Sequence, residues 1–190
     1  MLFRSGILNS GTVTISNSTI SGNSASGLGG GIYNNSNMTI SNSTITGNNS
    51  GNNGGGIANE STSTLTISNS TISGNSASQF GGGIASEGDS VTISNSLISG
   101  NRADDYGGGI DNQGNVLTIS NSTITGNSAD FQGGGIWSGP TNMLTLNNSI
   151  IYNNAAAGGA DFTALGTGNL AHTLYGVQLG IFNDNGGNID

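Results

Sequence analysis

The sequence predicts an all-β chain wound as a single-stranded parallel β-helix, a solenoid of about 26 residues per coil and five to six coils. Three observations predict it: a repeat of fixed internal spacing, apolar columns at strand period inside it, and a composition poor in helix formers. The string Gly-Gly-Gly-Ile occurs at Gly29–Ile32, Gly54–Ile57, Gly81–Ile84, Gly107–Ile110 and Gly133–Ile136, in steps of 25, 27, 26 and 26 residues. Thr-Ile-Ser-Asn-Ser begins at Thr14, Thr39, Thr66, Thr92 and Thr118, with a degenerate sixth copy at Thr145.

Each element of the coil follows from its place in that repeat. The first apolar column holds Val13, Met38, Leu65, Val91, Leu117 and Leu144, and two positions later stand Ile15, Ile40, Ile67, Ile93, Ile119 and Leu146. Five further on come Ile20, Ile45, Ile72, Ile98, Ile124 and Ile151, then a small-residue column at Ala25, Ser50, Ala77, Ala103, Ala129 and Ala156, then the Ile of Gly-Gly-Gly-Ile. Spacings of two, with Ser or Thr between, and β-branched dominance are strand properties. The reading is three short strands per turn, each burying one face against a central column. From first apolar column to last is always 19 residues, whereas the return to the next coil takes 6, 8, 7, 7 or 8. One stretch is therefore geometrically fixed and one loop accepts insertion. Two Asn columns mark the corners: Asn17, Asn42, Asn69, Asn95, Asn121 and Asn148, and Asn23, Asn48, Asn75, Asn101, Asn127 and Asn154. Both are read as inward amide ladders, since stacked amides can bond along the coil axis and Asn tolerates left-handed dihedrals. That inward placement also argues against glycosylation at Asn17-Ser-Thr and its copies. The array spans residues 1–154; residues 155–190 are read as an irregular last coil or partial C-terminal cap.

Of 190 residues, Gly, Asn, Ser and Thr make up 111; 6% are charged, Lys is absent, and two Arg face ten acids for a net charge of -8. Nucleic acid is excluded, because phosphate binding needs clustered Lys or Arg, and recognition of anionic membrane is disfavoured for the same reason. No apolar run is long enough for membrane insertion by this segment. Cys is absent and His172 is the one histidine, which removes thiolate metal sites and most zinc or Ser/His/Asp chemistry. The start is too short and too weakly charged for a signal peptide, so export information would lie outside this chain. The first repeat leaves no room for a full cap, which suggests a piece of a longer array. An uncapped end is an open edge prone to end-to-end self-association.

Ile20-Ser-Gly-Asn23, followed by Ala25 and then Gly-Gly-Gly-Ile, resembles the repeat of bacterial polymorphic outer-membrane proteins, whose unit pairs Phe-x-x-Asn with Gly-Gly-Ala-Ile. Here Ile stands for Phe at 20, 45, 72, 98 and 124, and Gly for Ala at 31, 56, 83, 109 and 135. The chain is similar too to secreted bacterial right-handed β-helix repeat proteins, and Leu179–Gly187 looks like the segment that follows such arrays. The resemblance implies a right-handed coil of the pectate-lyase-like group, and an extracellular or bacterial-surface passenger, often adhesive, with a carbohydrate or a host or cell-surface partner.

That group contains carbohydrate lyases and glycosidases, so carboxylates matter. Asp104, Asp105, Asp111, Asp130, Glu60, Glu87 and Asp89 are the candidates. Asp104 and Asp130 share a column three residues before their Gly-Gly-Gly and should sit about one strand spacing apart, with Arg102 close by in sequence. They are the pair to which a Ca²⁺ ion or a sugar would bind, although the expectation is a chain without cofactor whose acids are solvated and partly balanced by Arg102. Phe80 and Tyr106 precede successive Gly-Gly-Gly strings and should stack, and Trp137 and Tyr33 share the outward position after the fixed Ile. These aromatics are read as either sugar-stacking rings or covers for loop backbone. The function expected is a non-catalytic scaffold, an adhesin-like segment of a larger protein. A carbohydrate-binding or polysaccharide-cleaving β-helix with its site in the variable loops is the alternative. Outward Thr-Ile-Ser/Thr ladders also raise ice binding, against which Leu97 and mixed Ser count.

Overall fold

The computed structural model describes residues 5–171, 174–175 and 178–184. His172 and the N-terminal tetrapeptide lie outside the described residues. The chain is a parallel β-solenoid in which every coil pairs with the next in register, Ile67 with Ile40 and Ile93, and Ile72 with Ile45 and Ile98.

Each coil contributes four short strands rather than the three expected. The first ladder runs Val13–Ser16, Asn37–Ser41, Thr64–Ser68, Ser90–Ser94, Val116–Ser120 and Met143–Asn147; the second runs Thr19–Ser21, Thr44–Thr46, Thr71–Ser73, Leu97–Ser99, Thr123–Thr125 and Ile150–Tyr152. A third ladder of two-residue strands is Ser24–Ala25, Asn49–Ser50, Ser76–Ala77, Arg102–Ala103 and Ser128–Ala129. The fourth starts at Ile7–Asn9 and then follows Gly-Gly-Gly at Ile32–Asn34, Ile57–Asn59, Ile84–Ser86, Ile110–Asn112 and Ile136–Ser138. The extra strand arises because residues after the fixed Ile stay extended for one more alternation. The length variation falls between the fourth ladder and the first, where no register is lost.

The core is the column of inward side chains. Ile32, Ile40, Ile45, Ile57, Ile67, Ile72, Ile84, Ile93 and Ile98 are fully buried, and Ala25, Ala77, Ala103 and Ala129 fill the narrow third side. Each buried Ile contributes about 1.5–3 kcal/mol relative to exposure. The three glycines of each Gly-Gly-Gly are steric requirements. A Cβ on Gly82 would stand 2.3 Å from the Arg102 carbonyl oxygen, and one on Gly83 would stand 2.6 Å from that of Gly109. The latter is the position where the resembled repeat carries Ala.

Residues 155–171 carry the ladders onward. Phe162–Ala171 forms one bulged strand that pairs Phe162 with Ile136 and Leu170 with Leu146, joining the fourth ladder to the first. The repeat is disguised there because Phe162 takes the Ile place and Gly168 pairs with Leu144. Leu174–Tyr175 extends the second ladder and Gln178–Asp184 pairs with Phe162–Ala171.

The corners divide the work differently from the reading of two Asn ladders. Asn23, Asn48, Asn75, Asn101, Asn127 and Asn154 form a continuous row, buried from Asn48 onward. Asn75 Nδ2 donates to Asn101 Oδ1 at 2.9 Å and to the Ile45 carbonyl at 3.0 Å, while its Oδ1 accepts from the Asn48 N–H and Nδ2. All four amide valences are spent. After Asn154 the acceptor is Asp161, whose Oδ1 accepts from Asn154 N–H and Nδ2. The other column is no inward ladder: Asn17, Asn42, Asn69, Asn95, Asn121 and Asn148 are exposed, with φ between 48° and 50°. There Asn supplies the left-handed turn, and the next residue goes inward. Ser70 N–H donates to Ser96 Oγ at 3.1 Å, and Ser70 Oγ donates to the Ser68 carbonyl at 2.7 Å, a unit repeated from Ser43 to Ser122. These side chains are therefore not shielded from glycosylation by inward placement. A third polar row, Asn9, Asn34, Asn59 and Ser86, continues as Asn112 and Ser138 inside the fourth ladder.

Two measurements check this arrangement. Urea unfolding followed by far-UV circular dichroism should show Asn101→Ala less stable by about 2–4 kcal/mol, since donors and acceptors on both neighbouring coils lose partners. Asn95→Gly, at the exposed left-handed corner, should change stability by less than about 1 kcal/mol. Ile72→Asp places an unpaired charge in the central column and should abolish the cooperative transition.

Candidate functional site

The residues singled out for binding converge on one surface, at the turn between the third and fourth ladders and along the outward side of the fourth. This turn has fixed length, so the patch does not sit in the variable loops as expected for a carbohydrate site. Phe80 and Tyr106 precede the Gly-Gly-Gly of successive coils and bridge to each other in parallel pairing. Their rings stack at 5.7 Å and 23°. Tyr106 also meets Phe131 at 6.0 Å and Trp137 at 5.5 Å, tilted by 40° and 37°. Phe131, which the reading of the sequence passed over, is 55% exposed. Its signal was present: it stands one residue before the column of Phe80 and Tyr106, with Gln132 taking the aromatic's place.

Beside the rings lies the ion triad. Arg102 Nη2 contacts Asp104 Oδ1 at 3.2 Å and Asp130 Oδ2 at 3.0 Å, so one guanidinium bridges carboxylates of successive coils. The three side chains are about half exposed and contribute little to stability. The Arg102 cation occupies the place between the two carboxylates that a Ca²⁺ ion would need. Among the described residues, no three His, Cys, Asp or Glu side chains come close enough together to hold a metal.

The outward positions of the fourth ladder run Tyr33, Ala58, Ala85, Asp111, Trp137 and Thr163, paired one to the next. Asp111 is 1% exposed, and Gln113 Nε2 donates to its Oδ2 at 2.9 Å. Burial pushes its carboxyl up to about 8; the Gln113 bond opposes the rise and the Glu87 charge adds to it. Asp111 Oδ1, Trp137 Nε1 and Thr163 Oγ1 are all buried without a hydrogen-bond partner, on three consecutively paired positions. Glu60 and Glu87 follow the paired residues Asn59 and Ser86, and the Glu60 carboxyl is raised by burial and by Glu87. Tyr33 is raised by burial and by these two glutamates.

The remaining expectations fall elsewhere. An open groove of about 630 Å³ follows the exposed corner of Asn69, Asn95 and Asn121, with Thr71, Leu97 and Thr123 along it. The outward second ladder is interrupted by Leu97, Ile150 and Tyr152, each more than a third exposed, so its hydroxyl array is not continuous.

Residues 6–171 match the family model described as right handed beta helix region. The chain belongs to this family. No curated protein and no solved structure matches it. Membership accounts for the handedness of the coil and for the repeat, which the structure shows as in-register pairing at every turn. It assigns no chemistry to the aromatic and acidic patch, whose properties rest on the residues themselves.

The buried carboxyl gives a pH prediction. Asp111 holds its proton more tightly folded than unfolded, so its contribution to stability is full below the ordinary carboxylate range and is lost as pH rises through about 8. Thermal melts of Asp111→Asn should match wild type near pH 4 and exceed it above pH 8, by roughly 2–4 kcal/mol. A difference independent of pH would contradict a protonated Asp111.

Proposed function

We propose that this β-helix is a non-catalytic scaffold of the secreted or surface-exposed kind, an adhesin-like segment of the polymorphic outer-membrane passenger type. It displays the aromatic and acidic patch to a partner outside the cell. The observation that carries this reading is where the repeat is broken. Inside the coil most polar groups are spent on their neighbours in rows, whereas six departures from the repeat, Phe80, Arg102, Tyr106, Asp111, Phe131 and Trp137, gather on one side of three coils, apart from the scattered Leu97, Ile150 and Tyr152 of the second ladder. A spacer needs only the rows. A concentrated set of rings and charges on a rigid rod is what a binding surface adds to it.

The chemistry of the acids supports binding over catalysis. Glycoside hydrolysis needs two carboxylates at a working separation, one held as an acid, and proton abstraction beside a uronate needs a base with a free cation. Asp104 and Asp130 share one Arg102, so the triad keeps a net negative charge that disfavours a uronate. Asp111 is an acid without access to solvent. A neutral saccharide is the ligand class favoured, because Phe131 leaves ring surface open beside hydrogen-bonding groups and the surrounding acids repel anions.

The test is a glycan array and a polyuronate panel with and without Ca²⁺, together with an assay for released chain ends. The expected result is binding to neutral saccharides that Trp137→Ala and Tyr106→Ala weaken at least about tenfold, with no release of product. Binding that survives both substitutions would remove the patch from the reading, and chain cleavage would overturn the non-catalytic assignment.

A further inference from the structure

Asp111 and Trp137 occupy directly paired outward positions on adjacent strands, and the Trp137 ring packs on Tyr106 from the turn that precedes the Asp111 strand. An outward residue of a solenoid strand is ordinarily wet, yet Asp111 is 1% exposed. Its Oδ1 and the Trp137 Nε1–H are shut in together without partners, with Thr163 Oγ1 in the same condition one coil further. Closing the cluster therefore leaves polar atoms unsatisfied, and water would satisfy all of them if it opened. Ring packing favours closure and the unpartnered polar atoms oppose it.

We propose that the aromatic cluster is a pH-operated cover: it packs shut over a neutral Asp111 and swings Trp137 away when that carboxyl ionises. Its meaning for ligand capture rests on the reading of this surface as the binding patch, whereas the motion itself does not. The groups around Asp111 do not favour its charge on balance. Glu87, on the preceding coil, is a like charge that adds to the rise at Asp111, and Glu60, one coil further back, is raised by burial and by Glu87. Gln113, at the end of the same strand, offers one neutral donor. Tyr106 faces the cluster from the preceding turn, and Trp137 from the following coil carries no charge. The Arg102 guanidinium, the one cation among the described arginines, is committed to Asp104 and Asp130. Among the described residues no cation is placed to compensate a buried Asp111 carboxylate, so ionisation and burial oppose each other.

Trp137 is the one tryptophan of the chain and reports directly on its own exposure. Its emission should be followed as a function of pH in the absence of any ligand, kept below the tyrosine range of about 10. The expected result is a red shift and greater quenching by acrylamide with a midpoint near pH 8, with the far-UV spectrum unchanged. Asp111→Asn should hold the closed emission throughout. Glu87→Gln, an exposed change that leaves the core untouched, should lower the wild-type midpoint by a few tenths of a pH unit. No transition in the wild type, a transition that persists in Asp111→Asn, or a midpoint unmoved by Glu87→Gln would each overturn the proposal. Saccharide binding is measured separately, so a silent glycan panel with a clean Trp137 transition would sink the binding reading and leave the cover standing.

Discussion

One buried amide, repeated at every coil, sets the terms for the rest of the molecule. Asn75 takes two hydrogen bonds from the coil before it and gives one forward and one back, and the same is true of Asn48, Asn101 and Asn127. That pattern is satisfied at a single coil-to-coil distance and a single register. A slip of one residue would turn the Ile column outward and strand both valences of each amide. The glycines follow from it: the third Gly of each Gly-Gly-Gly lies against this row, and a Cβ on Gly83 would come within 3.1 Å of Asn101 Nδ2. The other close approaches of this string are backbone to backbone, so it serves the packing of coil on coil as well as the amide row.

Much of this architecture was legible because strand periodicity and fixed spacing survive translation into one dimension. The inward Ile columns, the Asn23-to-Asn154 row, and the stacking of Phe80 on Tyr106 all follow from counting. What did not follow has a common cause. Asn17 and Asn23 look alike in sequence, but one sits where the backbone must turn left-handed and the other where it need not. Spacing alone does not tell a residue chosen for its φ from one chosen for its side chain. The Ser18-to-Ser149 row was hidden beside the more suggestive Asn, and the fourth strand was hidden by the variable loop that follows it. The last coil was expected only as an irregular coil or partial cap because Phe162 and Gly168 replace the residues that define the pattern.

The candidate surface was legible in part for the same reason. Columns brought Asp104 beside Asp130 and Tyr106 beside Phe80, and sequence proximity brought Arg102 to both acids. Asp111 was visible only as one acid among several. An outward register position predicts a solvated carboxylate, whereas Asp111 is 1% exposed beside the packed rings of Trp137 and Tyr106, and ring packing between coils is something that no linear spacing encodes.

The amide row also has a sense. Every Asn Nδ2 passes its hydrogen bond toward the later coil, so the bonds align head to tail and polarise one another in one direction. A coil laid on such a row must present an acceptor at the leading end and a donor at the trailing end. Two arrays meeting by a two-fold axis would set like against like, whereas translation along the axis would continue the row unbroken. Asp161 interrupts that logic. There the acceptor for the Asn154 N–H and Nδ2 is a carboxyl oxygen instead of another amide, so the head-to-tail run of identical Asn side chains changes chemistry at that coil.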